Sequence, residues 1–430
     1  MLQRTVSSLS MREKLFRLLQ TPRFIALIAI LLRVAWLVYK IGVIPKEALA
    51  VVPFENEVGN VASALANGQG FCCLFRQPTG PTAWLTPIYP LLIAGIFKLF
   101  GTFTFGSFLA SVWLNSLFSA LACFPLYYAS ERIAGKPVAV LAAWLWVFSP
   151  IAIILPYAWI WDSSLSALLA AAILWVTIRV PDRPSLAAFV PYGLLWGISL
   201  LVNPALAALL PFLLAWIFFR LRAGNSQRLR LTLVALAATI LLCLPWTLRN
   251  CVQFHRFVPL RSNFAYEFWS GNNEIFDPRS REVNRITRYE QTRLYARLGE
   301  TAFLAEKWQN AKQFVCTRPS LYAQLCARRI VATWLGTESP WQDFLLADSG
   351  LARFLLLWNL FSFLALLIGL VRLYRSDRTF FFPVAAFPLI FPITFYLAHT
   401  SLRHRHPCDP VIALLMAVAF FGATRQIQSE

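Results

Sequence analysis

Two acidic residues, Glu55 and Glu57, follow the first apolar stretch of the chain and are separated by one asparagine. Charges at the level where a membrane meets water are costly, so they usually serve a function. In a strand the two carboxylates would share a face, whereas in a helix they lie about 200° apart and only one need face a cavity. The segment 57–66 has the pattern of a short amphipathic helix closed by Asn67-Gly68. A helix-capping pair at the membrane surface is the alternative, and the residue types leave it open.

A cationic cluster precedes the last apolar stretch of the chain. Its side chains supply charge-assisted hydrogen-bond donors suited to a phosphate group, whereas a metal site would need a regular ligand spacing that the segment lacks. We therefore expect no cofactor; a divalent metal ion is compatible with the sequence but not indicated by it. A cationic belt against anionic lipid head groups is the alternative. The cluster consists of His399, Arg403, His404, Arg405 and His406.

Two further polar groups lie between apolar stretches. Asp162 is the only charge in a short hairpin after Trp159-Ile-Trp161, and an aspartate before Ser-Ser is also a good N-cap for the following helix. Arg261, Asn263 and Glu267 stand in a segment rich in donors and acceptors. Such a segment suits sugar hydroxyls or a phosphate, and equally it suits ordinary turns.

The elements that must position these residues are membrane helices. Hydrophobic residues make up 58% of the 430 positions, charged residues only 14%, and the mean hydropathy is +0.60, which excludes a soluble globular domain. The formal net charge of +19 falls in short clusters between apolar stretches, as membrane orientation requires. Groove-reading motifs are missing, so we expect no nucleic-acid partner. The sequence predicts an all-α polytopic protein of the plasma (inner) membrane, in contact with the lipid bilayer.

Basic residues before the first apolar span predict a cytoplasmic N-terminus, which places Glu55 and Glu57 on the outer side. The short apolar run 84–100 decides the remaining topology, because the later basic loops all become cytoplasmic only if this run lies along the interface or re-enters. We therefore predict about ten crossings, with both termini cytoplasmic and the active site extracytoplasmic. The predicted spans are 24–43, 103–130, 137–156, 164–180, 187–202, 204–220, 229–247, 352–372, 380–398 and 409–424.

Three parts of the chain follow from this pattern. Residues 1–246 would form an N-terminal transmembrane core whose first outer loop, 44–102, carries interfacial helices. Residues 247–350 would form the one long outer loop, in which helical spacing over 281–314 and 320–335 predicts a small helical cap. Residues 351–430 would supply the C-terminal transmembrane helices.

Taken together, these residues resemble the GT-C superfamily of polytopic membrane glycosyltransferases, and specifically its family 39-like branch, which depends on polyprenyl-phosphate sugars. Protein mannosyltransferases and aminoarabinose transferases are of this kind. The resemblance implies a bundle of membrane helices with interfacial helices in the first outer loop. It rests on Glu57, Ala64-Leu65-Ala-Asn-Gly68, Pro81-Thr-Ala-Trp84, Pro87-Ile-Tyr89-Pro90, Leu99-Phe-Gly101, Pro245-Trp-Thr-Leu-Arg-Asn250, Arg261-Ser-Asn-Phe264 and Arg403-His-Arg-His-Pro407.

The resemblance also implies roles for individual residues. The acid of the first outer loop would be the general base, which is Glu57 here with Glu55 as the alternative. In addition, we expect Asp162 to orient the acceptor or sugar, or to hold a metal ion if one is used. Transfer of a sugar from a polyprenyl phosphate would proceed with inversion to a glycan, lipid or protein acceptor. Binding of the lipid phosphate and sugar would fall to Arg261, Asn263, Glu267, Arg403, His404, Arg405, His406, Trp84 and Tyr89.

Three other functions remain open at this point. One is an oligosaccharide polymerase or ligase that uses a lipid-diphosphate donor. Another is a lipid transporter, although that class expects repeated halves and ionisable residues in mid-span, and neither is evident here. The third is a non-catalytic protein of the same fold.

Overall fold

The computed structural model describes residues 10–75, 77–273, 281–337 and 349–422. Within these ranges the regular structure is helical, apart from one isolated antiparallel bridge between Cys72 and Pro81. The predicted all-α class is therefore confirmed. Local signals explain where several helices begin: Pro22 occupies the first turn of the first long helix, and Thr104 accepts a hydrogen bond from the backbone N–H of Ser107 at 3.0 Å.

The first 254 residues contain most of the membrane helices. Two of them cross at Gly193, where an added Cβ would lie 2.2 Å from the carbonyl oxygen of Ala235, so only glycine permits this approach. The α-helices are α1 (Met11–Leu19), α2 (Pro22–Val43), α3 (Lys46–Val51), α4 (Glu57–Ala66), α5 (Ile88–Phe100), α6 (Phe105–Leu121), α7 (Cys123–Ala134), α8 (Lys136–Val147), α9 (Pro150–Ala158), α10 (Ser163–Thr177), α11 (Leu186–Val202), α12 (Leu210–Arg220) and α13 (Asn225–Phe254).

The long loop after α13 is helical over the two predicted segments, 281–314 and 320–335, and it also contains a helix over Phe264–Gly271, where turns were the alternative. Its second helix is not continuous, because Gly299 takes a positive φ of 74° and breaks it. Its third helix begins with a proline and ends at Gly336, which adopts the left-handed conformation common at helix C-termini. The helices are α14 (Phe264–Gly271), α15 (Arg281–Thr317) and α16 (Pro319–Leu335).

The C-terminal part consists of one long helix and four shorter ones. These are α17 (Gly350–Ser376), α18 (Arg378–Leu389), α19 (Ile393–Leu397), α20 (Leu402–Arg405) and α21 (Asp409–Phe421). The last predicted span, 409–424, coincides with α21, and its residues 423–424 lie outside the described ranges.

Six helical runs in the described ranges are long and apolar enough to cross a membrane, and a seventh does so if α8 and α9, bent by 41°, form one span. The six are Pro22–Val43, Phe105–Ala134, Ser163–Asp182, Asn225–Phe254, Gly350–Ser376 and Arg378–Leu397. These helices make the chain an integral membrane protein.

The remaining predicted crossings coincide with shorter helices. The helix α11 has 17 residues and α21 has 13, and 204–220 is split between a short 3-10 segment and α12. The run 84–100 contains only the 13-residue α5, which is shorter than the roughly 20 residues that a perpendicular crossing needs. The helix α13 extends to Phe254, seven residues beyond the predicted end.

Candidate functional site

The residue between the two acids sets the geometry of the first outer loop. Asn56 is the N-cap of α4: its Oδ1 accepts from the backbone N–H of Gly59 at 3.0 Å, and its Nδ2 donates to the carbonyl of Pro53 at 2.9 Å. Capping, the alternative considered for the acids, therefore belongs to Asn56. Glu57 becomes the first residue of α4 and lines a cavity, whereas Glu55 is exposed and is not among the residues that line it.

The turn that carries Glu57 packs tightly against buried aromatic rings. Phe54 is completely buried, and its ring meets those of Phe97 and Phe103 edge-on at 5.0 and 6.0 Å. Gly59 lies directly over Phe54, since a Cβ at this position would fall 2.2 Å from the Phe54 carbonyl oxygen. Glu57 is thus held on a rigid element.

The cavity has a volume of about 360 Å³ and is formed by loops and helix ends from all three parts of the chain. It brings together eight of the predicted site residues. These are Glu57, Trp84, Asp162, Arg261, Asn263, Glu267, Arg403 and His404, and His399 also lines the cavity.

Asp162 enters the cavity from the hairpin between α9 and α10. The hairpin is joined to the first loop because the backbone N–H of Ile160 donates to the Pro53 carbonyl at 3.4 Å. Asp162 occupies the N-cap position of α10 but makes no side-chain cap bond, and its Oδ2 instead accepts from Ser166 Oγ at 3.0 Å. Burial raises the pKa of Asp162, and the positive charges of Arg261 and Arg403 oppose that rise.

Arg403 is held between two indole rings. Its guanidinium carbon lies 4.6 Å from the ring centroid of Trp159 and 4.5 Å from that of Trp161. This stacking fixes the plane of the guanidinium and leaves its N–H edge for hydrogen bonds. Its Nη1 is buried and has no hydrogen-bond partner within the described ranges.

The two histidines of the cavity are neutral at pH 7. Burial, reinforced by Arg403 and Arg329, lowers the pKa of His399 to about 4, and burial together with Arg403 lowers the pKa of His404 well below its usual value. His404 stacks on Phe395 with a centroid distance of 4.9 Å. The positive charge of the cavity therefore comes from Arg261 and Arg403.

Burial also lowers the pKa of Arg261, and the carboxylates of Glu267 and Asp162 oppose this effect. An arginine remains charged under such conditions. Asn263 donates to Glu267 at 3.0 Å, and Glu267 in turn lies 3.9 Å from the Nδ1 of His399. Hydrogen-bond donors and acceptors thus alternate along the part of the cavity formed by Asn263, Glu267 and His399.

Two members of the predicted cationic cluster lie outside the cavity. Arg405 is buried and donates to Asp409 at 3.0 Å, to the Trp334 carbonyl at 2.8 Å and to Asn359 at 3.1 Å. His406 is fully buried, and its Nδ1 lies 2.8 Å from Asp409. The single turn α20 is followed directly by a 3-10 turn that begins at His406, so successive side chains point in different directions. Arg405 and His406 face the interior, while Arg403 and His404 line the cavity.

Tyr89 is likewise placed away from the cavity. Its ring is buried in the apolar cluster beneath the first loop, and its hydroxyl donates to Asn115 at 2.9 Å, within the helix bundle. Asn115 lies on α6, so this bond joins α5 to its neighbour.

Glu300, which the sequence did not single out, anchors two walls of the cavity to each other. Its buried carboxylate accepts from Thr82 Oγ1 at 2.5 Å, the Ala83 N–H at 3.0 Å, Ser262 Oγ at 2.6 Å and the Tyr295 hydroxyl at 2.8 Å. Trp84 and Arg261 are the sequence neighbours of these donors. The only signal was Gly299, which interrupts a helical pattern just before Glu300.

The motif Pro245-Trp-Thr-Leu-Arg-Asn250 holds the same loops from the end of α13. Trp246 donates to the Leu260 carbonyl at 2.6 Å, and Arg249 donates to the Thr82 carbonyl at 2.7 Å and to that of Phe71 at 3.0 Å. The conformation of both cavity walls is therefore fixed by side chains that do not themselves enter the cavity.

No group of three or more His, Cys, Asp or Glu side chains suited to a metal ion occurs among the described residues. Two of the cavity carboxylates have basic or amide neighbours: Asp162 interacts with Arg261 and Arg403, and Glu267 with Asn263 and Arg261.

No family model matches the chain, and no curated protein matches it at a significant level. Several solved structures, however, do match the chain. The archaeal oligosaccharyltransferase AglB from Archaeoglobus fulgidus, in complex with an inhibitory peptide and a dolichol-phosphate, superposes with a TM-score of 0.53 at 16% identity, over 95% of this chain and 50% of that one. The chain has the GT-C fold.

Two other solved structures are similar to the chain to different degrees. The Archaeoglobus fulgidus oligosaccharyltransferase tethered with an acceptor peptide gives a TM-score of 0.51 at 14% identity, over 93% of this chain and 49% of that one. ArnT from Cupriavidus metallidurans, bound to undecaprenyl phosphate, gives a TM-score of 0.37 at 13% identity, over 90% of this chain and 77% of that one. The chain spans about half the length of the oligosaccharyltransferase chains that it matches. The resemblance to GT-C proteins seen in the sequence is confirmed at the level of the fold.

Proposed function

We propose that the chain is an integral membrane glycosyltransferase. It transfers one sugar from a polyprenyl-phosphate donor to an acceptor hydroxyl, and the candidate cavity is its active site. The GT-C fold supports this proposal, as does the dolichol-phosphate present in the Archaeoglobus fulgidus structure. The donor is proposed to carry a single sugar unit because a cavity of about 360 Å³ is near the lower end for small-molecule sites.

The observation that carries the proposal is a set of unpaired polar atoms that belong to residues lining one cavity. Within the described ranges, four buried side-chain atoms of the cavity walls have no hydrogen-bond partner: Asn263 Oδ1, His399 Nδ1, Arg403 Nη1 and His404 Nδ1. Such atoms are rare in folded proteins unless water or a ligand satisfies them. Donors and acceptors beside two arginines match the hydroxyls of a sugar and the oxygens of a phosphate.

In the proposed reaction, Glu57 takes the proton of the acceptor hydroxyl while the oxygen of that hydroxyl attacks the anomeric carbon. The bond between that carbon and the phosphate oxygen breaks with inversion, and the phosphate leaves with the electron pair. Arg403 and Arg261 stabilise the negative charge that develops on it. Asp162 and Glu267 accept hydrogen bonds from sugar hydroxyls, and no step is assigned to a metal ion.

The apolar tail of the donor would lie along α5. This helix begins at Ile88, four residues after Trp84 of the cavity wall, and it exposes Leu91, Leu99 and Phe100 by 52%, 79% and 53%. Exposed large apolar side chains beside a polar cavity provide a surface for a prenyl chain. The cavity would open on the extracytoplasmic side, with both termini cytoplasmic, as the distribution of basic residues predicts.

The test is transfer by the full chain in lipid nanodiscs, given a panel of polyprenyl-monophosphate sugars and their diphosphate counterparts. Mass spectrometry would detect the released polyprenyl phosphate from monophosphate donors and the released polyprenyl diphosphate from diphosphate donors. We expect turnover with a monophosphate donor, its loss in Glu57→Gln, and its retention in the matched control Glu55→Gln. Turnover only with diphosphate donors would favour the oligosaccharide transferase instead.

A binding measurement separates donor recognition from catalysis. Polyprenyl phosphate should bind to Glu57→Gln as it does to the unmodified chain, and more weakly to Arg403→Gln. Arg256→Gln, which removes an exposed arginine outside the cavity, is the control. Equal binding by Arg403→Gln and the control would overturn the assignment of the phosphate site.

A further inference from the structure

A second, larger cleft of about 1330 Å³ lies at the opposite end of the helix bundle. Asp162, just before α10, lines the candidate active site, whereas Arg179, just after its C-terminus, lines this cleft. The 15 residues of α10 span about 22 Å. The two sites are therefore separated by most of a membrane thickness.

The cleft contains more basic than acidic side chains, and most of its acids already have partners. Of its three acids, Asp182 pairs with Arg132 at 2.5 Å, and Asp377 accepts from the backbone N–H groups of Thr379 and Phe380 as a helix cap. Only Glu131 remains to face the other cations. Arg183, Arg220 and Arg222 also line the cleft.

These three arginines are exposed, and none of them forms an ion pair among the described residues. Arg179 is exposed as well and lies 5.3 Å from the ring centroid of Trp175. Trp175 stacks in turn on Tyr128 at 5.9 Å. A tryptophan and a tyrosine beside free guanidinium groups are typical of the level of lipid head groups.

An apolar groove of about 690 Å³ adjoins the cleft, and Arg220 lines both. The groove lies between α12 and α18, which are joined by the hydrogen bond from Trp216 to the Thr379 carbonyl at 2.9 Å. Its rim is exposed at Phe212, Phe382 and Leu389 by 52%, 61% and 55%. A cationic cleft continuous with an apolar groove fits a molecule that has an anionic head and a hydrocarbon tail.

We propose that this composite site binds one anionic phospholipid. Its phosphate lies among Arg179, Arg220 and Arg222, and one acyl chain lies in the groove between α12 and α18. The free guanidinium groups select for net negative charge, since each arginine near a membrane surface strengthens binding to anionic lipid. The groove distinguishes a phospholipid from a free phosphate, which has nothing to place there. This site is independent of the proposed transferase reaction.

The test is native mass spectrometry of the full chain in detergent, titrated separately with phosphatidylglycerol and phosphatidylcholine of identical acyl chains. We expect phosphatidylglycerol to bind at least tenfold more tightly. The double variant Arg220→Gln/Arg222→Gln should lose most of that preference. The matched control Arg230→Gln/Arg375→Gln removes two exposed arginines outside the cleft and should keep it.

Two further arms identify the ligand. Phe212→Ala/Phe382→Ala should weaken phosphatidylglycerol binding several-fold, whereas Phe420→Ala, which truncates an exposed ring elsewhere, should not. Glycerol phosphate, which has the head-group chemistry but no acyl chain, should not displace the lipid at equal concentration. Equal affinity for the two lipids, an unchanged preference in the arginine variant, or efficient displacement by glycerol phosphate would each overturn the proposal. Unchanged elution from a sizing column checks that every variant is folded.

Discussion

Glu300 accepts a hydrogen bond from the Thr82 hydroxyl at 2.5 Å although 218 residues separate the two in the chain. The same carboxylate also binds Ser262, whose neighbour Arg261 lines the candidate cavity. One buried anion therefore joins the first outer loop to the long outer loop. It does so without entering the cavity that these loops enclose.

The first prediction concerns this anchor. In Glu300→Gln the carboxylate becomes an amide, which offers one acceptor oxygen and two donors to partners that all donate. We expect a loss of about 2 kcal/mol or more of stability, measured as a lower apparent unfolding temperature in detergent. Glu290→Gln, an exposed position in α15 on the other side of the break at Gly299, is the control. Equal unfolding temperatures for the two variants would show that Glu300 does not hold the loops together.

The second prediction concerns the turn that carries Glu57. In Gly59→Ala the new Cβ would lie 2.2 Å from the Phe54 carbonyl oxygen, so the start of α4 must shift. We expect a cost of about 2 kcal/mol and reduced transfer, because Glu57 moves with the helix. Gly95→Ala is the matched control, since a Cβ on this helical glycine meets nothing within 4 Å and should be neutral or slightly stabilising. A Gly59→Ala protein that matches this control would argue against a rigid turn.

The sequence alone predicts those structural features that are determined by residues close to them in the chain. The helix 57–66, its closure at Asn67-Gly68 and the left-handed Gly336 all follow from residues within one turn of each feature. The meeting of Glu57 with Asp162 and Arg403 could also be foreseen. Loops at the same end of successive membrane helices gather on one side, and the parity of the crossings assigned these three loops to the same side.

Other features depend on contacts that no local pattern reports. The rotational phase of the single turn 402–405 decides that Arg403 faces the cavity and Arg405 the interior, and Asp409 and Asn359 fix that phase. Glu300 stands in a segment of mixed charge, where burial cannot be distinguished from exposure by spacing. Tyr89 belongs to one of the motifs on which the resemblance to GT-C proteins rests. Its hydroxyl nevertheless binds Asn115 inside the helix bundle and does not line the cavity.

The third prediction follows from the raised pKa of Asp162. Because the pKa is higher in the folded protein, the folded state holds this proton more tightly than the unfolded state. The resulting stability is present below the usual pKa of 3.8 and is lost as the pH rises through the raised value. Asp162→Asn retains an acceptor for Ser166 but does not ionise. We therefore expect it to be more stable than the unmodified chain at pH 7 while transferring sugar more slowly.

Unfolding temperatures measured from pH 3.5 to 7 test this difference. The gap between Asp162→Asn and the unmodified chain should widen as the pH rises, whereas Glu47→Gln, which alters an exposed acid, should follow the unmodified chain. A gap that does not change with pH would mean that Asp162 is not held in an environment that disfavours its charge.

The fourth prediction uses the opposite shift, at His399. Its pKa falls from 6.5 to about 4 in the folded protein, so the unfolded state binds the proton more readily. The stability from the neutral imidazole is complete above about pH 6.5 and is lost as the pH falls towards 4. His399→Gln removes the titrating group, so its unfolding temperature should decline less over this window. His255→Asn replaces an exposed histidine by a residue that tolerates the same left-handed backbone, and it should decline as the unmodified chain does. If His399→Gln and His255→Asn declined equally, the imidazole of His399 would not be the group that acid must charge, and the cavity would then hold more positive charge than the two arginines supply.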